Sequence, residues 1–147
     1  MFRSVKLKNL RLMIFCLVCA ALFCAACFFA LRSGGGDTVT VRGESYPLRV
    51  DDETDVVRFL EACGYEAPEP VFQHEITVPK NWNETYTKYN ELQRQQGFDL
   101  VPYKGKAAEE FVYFISEARN VTVLTSGGKV IAAHLCDVDG GEMRAVF

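Results

Sequence analysis

The sequence predicts an α+β protein: one N-terminal transmembrane helix, then a small domain of antiparallel sheet with about two packed helices. Three features point to it. A 20-residue run from Leu12 to Leu31 holds only Leu, Met, Ile, Phe, Cys, Val and Ala. Beyond it, apolar residues alternate with period 2 and period 3.6 in the order ββ-α-β-α-βββ. Two of the strand junctions are short and Gly-containing, Gly43-Glu44 and Ser126-Gly127-Gly128, which suits antiparallel hairpins rather than crossovers.

As a helix rising ~1.5 Å per residue, the apolar run is about 30 Å long, the thickness of a bilayer's hydrocarbon core. Its ten Leu, Ile, Phe and Val residues favour insertion by roughly 3 to 6 kcal/mol. Arg3, Lys6, Lys8 and Arg11 precede it and Arg32 follows. The positive-inside bias therefore makes residues 1–11 a cytoplasmic tail and sends the C-terminal domain across the membrane. The competing reading is a cleaved signal peptide, whose apolar region of about 7–15 residues is shorter than this run. The nearest small-residue cleavage site is Cys24-Ala25-Ala26; with Cys27 acylated it would form a degraded lipoprotein box, but Phe28 and Phe29 follow where small or polar residues belong. A retained single-pass anchor is the expectation.

Cys16-x-x-Cys19 and Cys24-x-x-Cys27 have the spacing of a four-thiolate metal site. Thiolates are costly in hydrocarbon, and no Gly, Pro or charge lies between them to form a knuckle. They read instead as small apolar residues on one arc of the helix. Cys16, Ala20 and Cys27 make a small-residue face through which a membrane protein partner could pack closely.

Residues 32–37, with three consecutive glycines, are a flexible linker, and 38–147 form the extracytoplasmic domain. All 19 acidic residues lie beyond the anchor, where they outnumber the basic ones by seven counting Arg32, within a whole-chain net charge of −3. An acidic exterior argues against nucleic acid and against docking on anionic lipid.

Thr38–Arg42 and Ser45–Val50 alternate apolar and polar residues around Gly43-Glu44 and read as a hairpin, with Pro47 placing the second strand at an edge. Asp52 caps a helix to about Cys63, with Val56, Phe59, Leu60 and Cys63 on its apolar face and Gly64 as its stop. Asp51, Asp52, Glu53 and Asp55 resemble a cation cluster, but a helix N-terminus favours acidic residues through its dipole. Val71–Val78 reads as a strand ended by Pro79. Asn81-x-x-Glu84 is a capping-box variant opening a helix to Gln96, with Trp82, Tyr86, Tyr89 and Leu92 as its core stripe. Gly97 ends this helix, and Phe98 folds back on its last turn. Glu110–Ser116, Asn120–Thr125 and Lys129–Asp137 complete the strands. The simplest packing puts the helices on one face of the sheet.

From about Glu44 onward the chain resembles an uncharacterised family of short, membrane-anchored proteins of clostridial-type Gram-positive bacteria. The resemblance rests on Phe59-Leu60-x-x-x-Gly64-Tyr65-Glu66, Ile76-Thr77-Val78-Pro79, Tyr103-Lys104-Gly105-Lys106 and Gly128-Lys129-Val130-Ile131. Its most specific part is Tyr89-Asn90-Glu91-Leu92-Gln93-x-x-Gln96-Gly97-Phe98-Asp99-Leu100. Tyr65 departs from the Trp usual at its position. The resemblance implies a bacterial host, the anchor and the domain boundary, and brings no activity, ligand or catalytic residue.

Cys63 and Cys136 are the only cysteines beyond the anchor. An extracytoplasmic site permits a disulfide between them, and buried free thiols are the alternative. His134 and Cys136 share a strand face, but two histidines without ligand spacing from other donors do not make a metal site. Asp137-x-Asp139-Gly140-Gly141 lacks the glycine and glutamate positions of a calcium loop and reads as a turn. No catalytic, metal or cofactor residue is assigned. The function expected is a non-catalytic binding module for an extracellular ligand or membrane protein. The alternatives are a small extracytoplasmic hydrolase or thiol enzyme, in which a pocket would join His74 or His134 to Cys63, Cys136 or Asp139, and a structural subunit associating through its membrane helix.

Overall fold

The computed structural model describes residues 36–66 and 68–147, all within the unit Gly34–Phe147. The membrane segment 12–31 and the contact face of Cys16, Ala20 and Cys27 lie outside the described residues. Among the described residues no helix is long and apolar enough to cross a membrane.

The chain begins with the expected hairpin, β1 (Thr38–Val41) and β2 (Glu44–Pro47), which form a two-stranded sheet of their own. Arg42 and Gly43 both have positive φ, 50° and 90°, the type I′ geometry that matches strand twist across a two-residue loop. Leaving the hairpin, Leu48 donates its N–H to Asp37 O at 2.9 Å and accepts from Val130 N–H at 2.8 Å, so the chain passes from β1 to the last strand.

Helix α1 (Glu53–Ala62) is capped as expected: Asp52 accepts from Asp55 N–H, and Val56, Phe59 and Leu60 are buried. It closes in a Schellman motif, with Gly64 N–H donating to Glu61 O and Tyr65 N–H to Leu60 O. Helix α2 (Glu84–Gln95) starts later than expected. Its cap is Asn83, not Asn81, because Asn83 Oδ1 accepts from Tyr86 N–H at 2.8 Å. Trp82 therefore precedes the helix and donates from its indole N–H to the Pro79 carbonyl. At the far end Gly97 has φ 91°, a left-handed conformation that L side chains rarely adopt, and Phe98 N–H returns to Gln93 O.

Four antiparallel strands, β3 (Glu69–Thr77), β4 (Ala107–Ser116), β5 (Arg119–Thr125) and β6 (Val130–Asp137), pair in chain order. The order ββ-α-β-α-βββ is therefore the observed one, with a short 3-10 helix, Val101–Tyr103, before β4. The helices do not share a face, however. Phe111, Tyr113, Val121, Val123, Ala133 and Leu135 alternate to one side and pack with Phe59 and Leu60 of α1 and Val39 and Val41 of the hairpin. Ala108, Leu124 and Ala132 alternate to the other side and pack with Val78, Leu100, Trp82, Tyr86 and Tyr89. Burying each large apolar side chain stabilises by about 1.5–3 kcal/mol. Two cores, one on each face, let a four-stranded sheet bury both sets.

The two edges of the sheet are treated differently. The outer edge of β6 finds partners at Val130, Ala133 and Leu135. Leu48 meets it at Val130, Arg144 exchanges two backbone hydrogen bonds with Leu135, and two α2 side chains fill the gap between. Ala133 N–H donates to Gln93 Oε1 at 2.9 Å, and Gln96 Nε2 donates to Ala133 O at 3.1 Å. Gln96 Oε1 also accepts from Val146 N–H at 2.6 Å. At the opposite edge, β3 is exposed at every residue but Ile76.

Candidate functional site

The residues singled out from the sequence do not assemble into one centre. Cys63 is buried in the core that α1 covers, whereas Cys136 shares the opposite side of the sheet with His134. Both are free thiols, so the bridge left open by the sequence is not formed in this structure. Burial pushes the Cys63 thiol up to about 12, the reverse of what an activated nucleophile needs. His134 is sealed under α2, its Nδ1 sharing a 3.0 Å hydrogen bond with the Tyr89 hydroxyl, and burial lowers it to about 4. Burial likewise raises the Tyr89 phenol. His74 lies elsewhere on the exposed strand β3, paired with Glu110 at 3.2 Å. Asp137 binds Arg144 at 2.8 Å and accepts from Gly140 N–H, the turn expected of that segment. Among the described residues no three His, Cys, Asp or Glu side chains are grouped to hold a metal ion.

What the fold does gather is acidic surface beside β3. A cleft of about 470 Å³ opens between the α1 N-terminus and the β3–β4 pair, and Asp51, Asp52, Glu53, Glu75 and Glu109 line it with no Lys, Arg or His. Some of these carboxylates have local partners. Asp51 meets Arg49 at 3.0 Å, Asp52 caps α1, and Glu53 accepts from the Tyr113 hydroxyl at 3.3 Å. Burial raises the Tyr113 phenol, and Glu53 beside it adds to the rise. Asp55, next along the helix, accepts from the Asp51 backbone N–H at 2.9 Å, which holds its carboxyl below the usual range.

Glu75 and Glu109 stand directly opposite one another in the β3–β4 register, an arrangement of like charges that costs the sheet stability. A second cleft, of about 480 Å³, lies at the other end of β3 between Glu69 and Glu117, beside Phe114, again without a basic residue. On the side of the sheet away from the first cleft, Phe72 is 51% and Phe114 40% exposed.

The sequence reading missed this surface because β3 and β4 are far apart in the chain, so nothing local aligns Glu75 with Glu109. It also missed the buried polar face of α2. Tyr86 and Tyr89 are half-buried as expected, but the most buried positions are Asn90, Gln93 (0% exposed) and Gln96 (5% exposed). The signal was present: these amides recur every three residues in the segment that carried the family resemblance. Asn90 accepts from Leu100 N–H at 2.8 Å and donates to Asp99, so that motif is a scaffold joining α2, the following loop and the β6 edge.

Comparison with curated proteins and with solved structures finds no match. The sequence profile of a domain of unknown function, DUF4830, matches residues 59–135, more than half of the chain and the stretch from α1 to β6. The chain belongs to the DUF4830 family.

Proposed function

We propose that this chain is a non-catalytic binding module, held outside a Gram-positive, clostridial-type cell by one N-terminal membrane helix. The observation that carries the binding role is the contrast between the sheet's edges: β6 is covered by backbone and by two buried glutamines, whereas β3 stays exposed and is flanked by acidic clefts and by Phe72 and Phe114. Proteins normally cover or blunt such an edge, because its free N–H and C=O groups recruit another strand. What supports the anchor is the uncharged 12–31 run with its basic N-terminal flank.

Two measurements test this reading. Protease treatment of intact protoplasts, with the intact mass of the chain, should find full-length protein in the membrane and release the domain beyond Gly36. A chain cut near Ala26, or a domain protected from protease, would overturn the anchored topology. A photo-crosslinking residue at Phe72 of the full-length chain on intact cells should give a discrete adduct that the same residue at Glu91, on the exposed side of α2, does not. No adduct at Phe72 would remove the binding role.

A further inference from the structure

We propose that the open edge of β3 takes an extended basic segment of another protein, which joins the four-stranded sheet as a fifth strand. This rests on the binding-module reading and names its partner's chemistry.

The backbone comes first. Val78 N–H donates to Lys106 O at 3.0 Å, which sets the phase of the β3–β4 ladder. Bonded and non-bonded pairs alternate in an antiparallel ladder, so Phe72, His74 and Ile76 direct their backbone groups to β4. Gln73, Glu75 and Thr77 direct theirs to the open edge. Pro70 and the register shift between Pro70 and Phe72 blunt only the first part of the strand. From Phe72 to Thr77 the register is regular, and among the described residues no strand pairs with this edge.

Charge then selects the partner. A strand added beside β3 places alternate side chains on the side of the sheet that carries Glu75 and Glu109. There it meets two facing carboxylates, with Asp51, Asp52 and Glu53 across the cleft. Lys or Arg at those positions offsets the Glu75–Glu109 repulsion. The intervening side chains fall beside Phe72, the His74–Glu110 pair and Ile76, where apolar residues fit against Phe72 and Ile76. The recognised segment therefore alternates basic and apolar residues. A second copy of this chain is disfavoured as occupant, because the Glu75 face of its own β3 carries no Lys or Arg to set against Glu75 and Glu109. Strand addition supplies affinity through the main chain and specificity through the alternate side chains.

The test uses the full-length chain in phosphatidylcholine nanodiscs, whose zwitterionic surface does not itself attract a basic probe. The probe is a fluorescent Lys-Val-Lys-Val-Lys-Val-Lys peptide, read by anisotropy. It should bind saturably, and Glu75→Gln with Glu109→Gln should weaken it by about tenfold or more. Gln73→Pro removes an outward N–H and should abolish binding while the Trp82 fluorescence stays native. Because that variant could fail to fold, a probe N-methylated at every backbone nitrogen serves as well: it keeps every charge but cannot donate to the edge, and should not bind. The proposal is overturned if the Lys-Val peptide does not bind, if the N-methylated peptide binds equally, or if a Glu-Val peptide of the same length binds as tightly. Failure here with a persistent Phe72 adduct on cells sinks the basic-strand partner alone. Loss of that adduct as well sinks the binding module.

Discussion

Gln96 shows at the residue scale how a polar side chain becomes structural. Its amide serves Ala133 O on β6 and Val146 N–H near the C-terminus, both out of water. Gln96→Leu keeps the bulk and leaves both backbone groups unpaired, at about 1–3 kcal/mol for each buried group. Urea unfolding of the full-length chain in mild detergent, read from its single Trp, should show a loss of about 2 kcal/mol or more. His134 sets a second expectation. Its folded value near 4 lies below the ordinary ~6.5 of an unfolded His, so the unfolded chain binds the proton first. Its contribution is complete above about pH 6.5 and is lost as pH drops through 6.5 to 4, a loss of about 3 kcal/mol by the bottom of that window. His134→Gln should remove this part of the acid sensitivity, seen as a shallower stability–pH curve than wild type between those limits. Below that window carboxylates such as Asp55, held below the usual range, add a further loss as they are protonated.

At the scale of elements, α2 is the piece that ties the domain together. Its start depends on one side chain: Asn83→Ala deletes the bond to Tyr86 N–H and should cost about 1 kcal/mol, while Asn81→Ala should cost little. Urea midpoints of the two variants check which Asn is the cap. The sequence pointed to Asn81 through its capping-box spacing to Glu84, because local spacing does not say where the chain turns. The Trp82 indole bond to Pro79 and the stacking of Trp82 on Tyr86 keep Trp82 outside the helix, and neither partner is specified by periodicity. The ends of both helices, by contrast, were legible. Gly64 and Gly97 supply left-handed residues, and each is followed by an aromatic that closes a Schellman motif.

On the scale of the whole molecule, the domain's two cores and its sheet are built from residues beyond the linker. A chain beginning at Gly34 should therefore fold alone. Expressed without the first 33 residues, it should remain in the aqueous fraction and unfold in urea at the same midpoint as the full-length chain, whereas aggregation or loss of the cooperative Trp82 transition would show that the N-terminal part completes the fold. The hairpins were readable because Gly43 and Gly127-Gly128 enforce turns between strands that touch in sequence. The division of helices between the two faces was not, since α1 and α2 each present an apolar side that would suit either face.

The order of elements, the caps and turns and the acidic balance of the C-terminal domain follow from the chain's own local chemistry, because each depends on residues within a few positions of one another. The covered and uncovered edges, the separation of Cys63 from Cys136 by the sheet, and the facing of Glu75 and Glu109 depend on register and on which side each helix lands. Those are settled by competition between packings of similar local quality, and the winner is the one that buries both faces of the sheet while Gln93 and Gln96 satisfy the edge that α2 conceals.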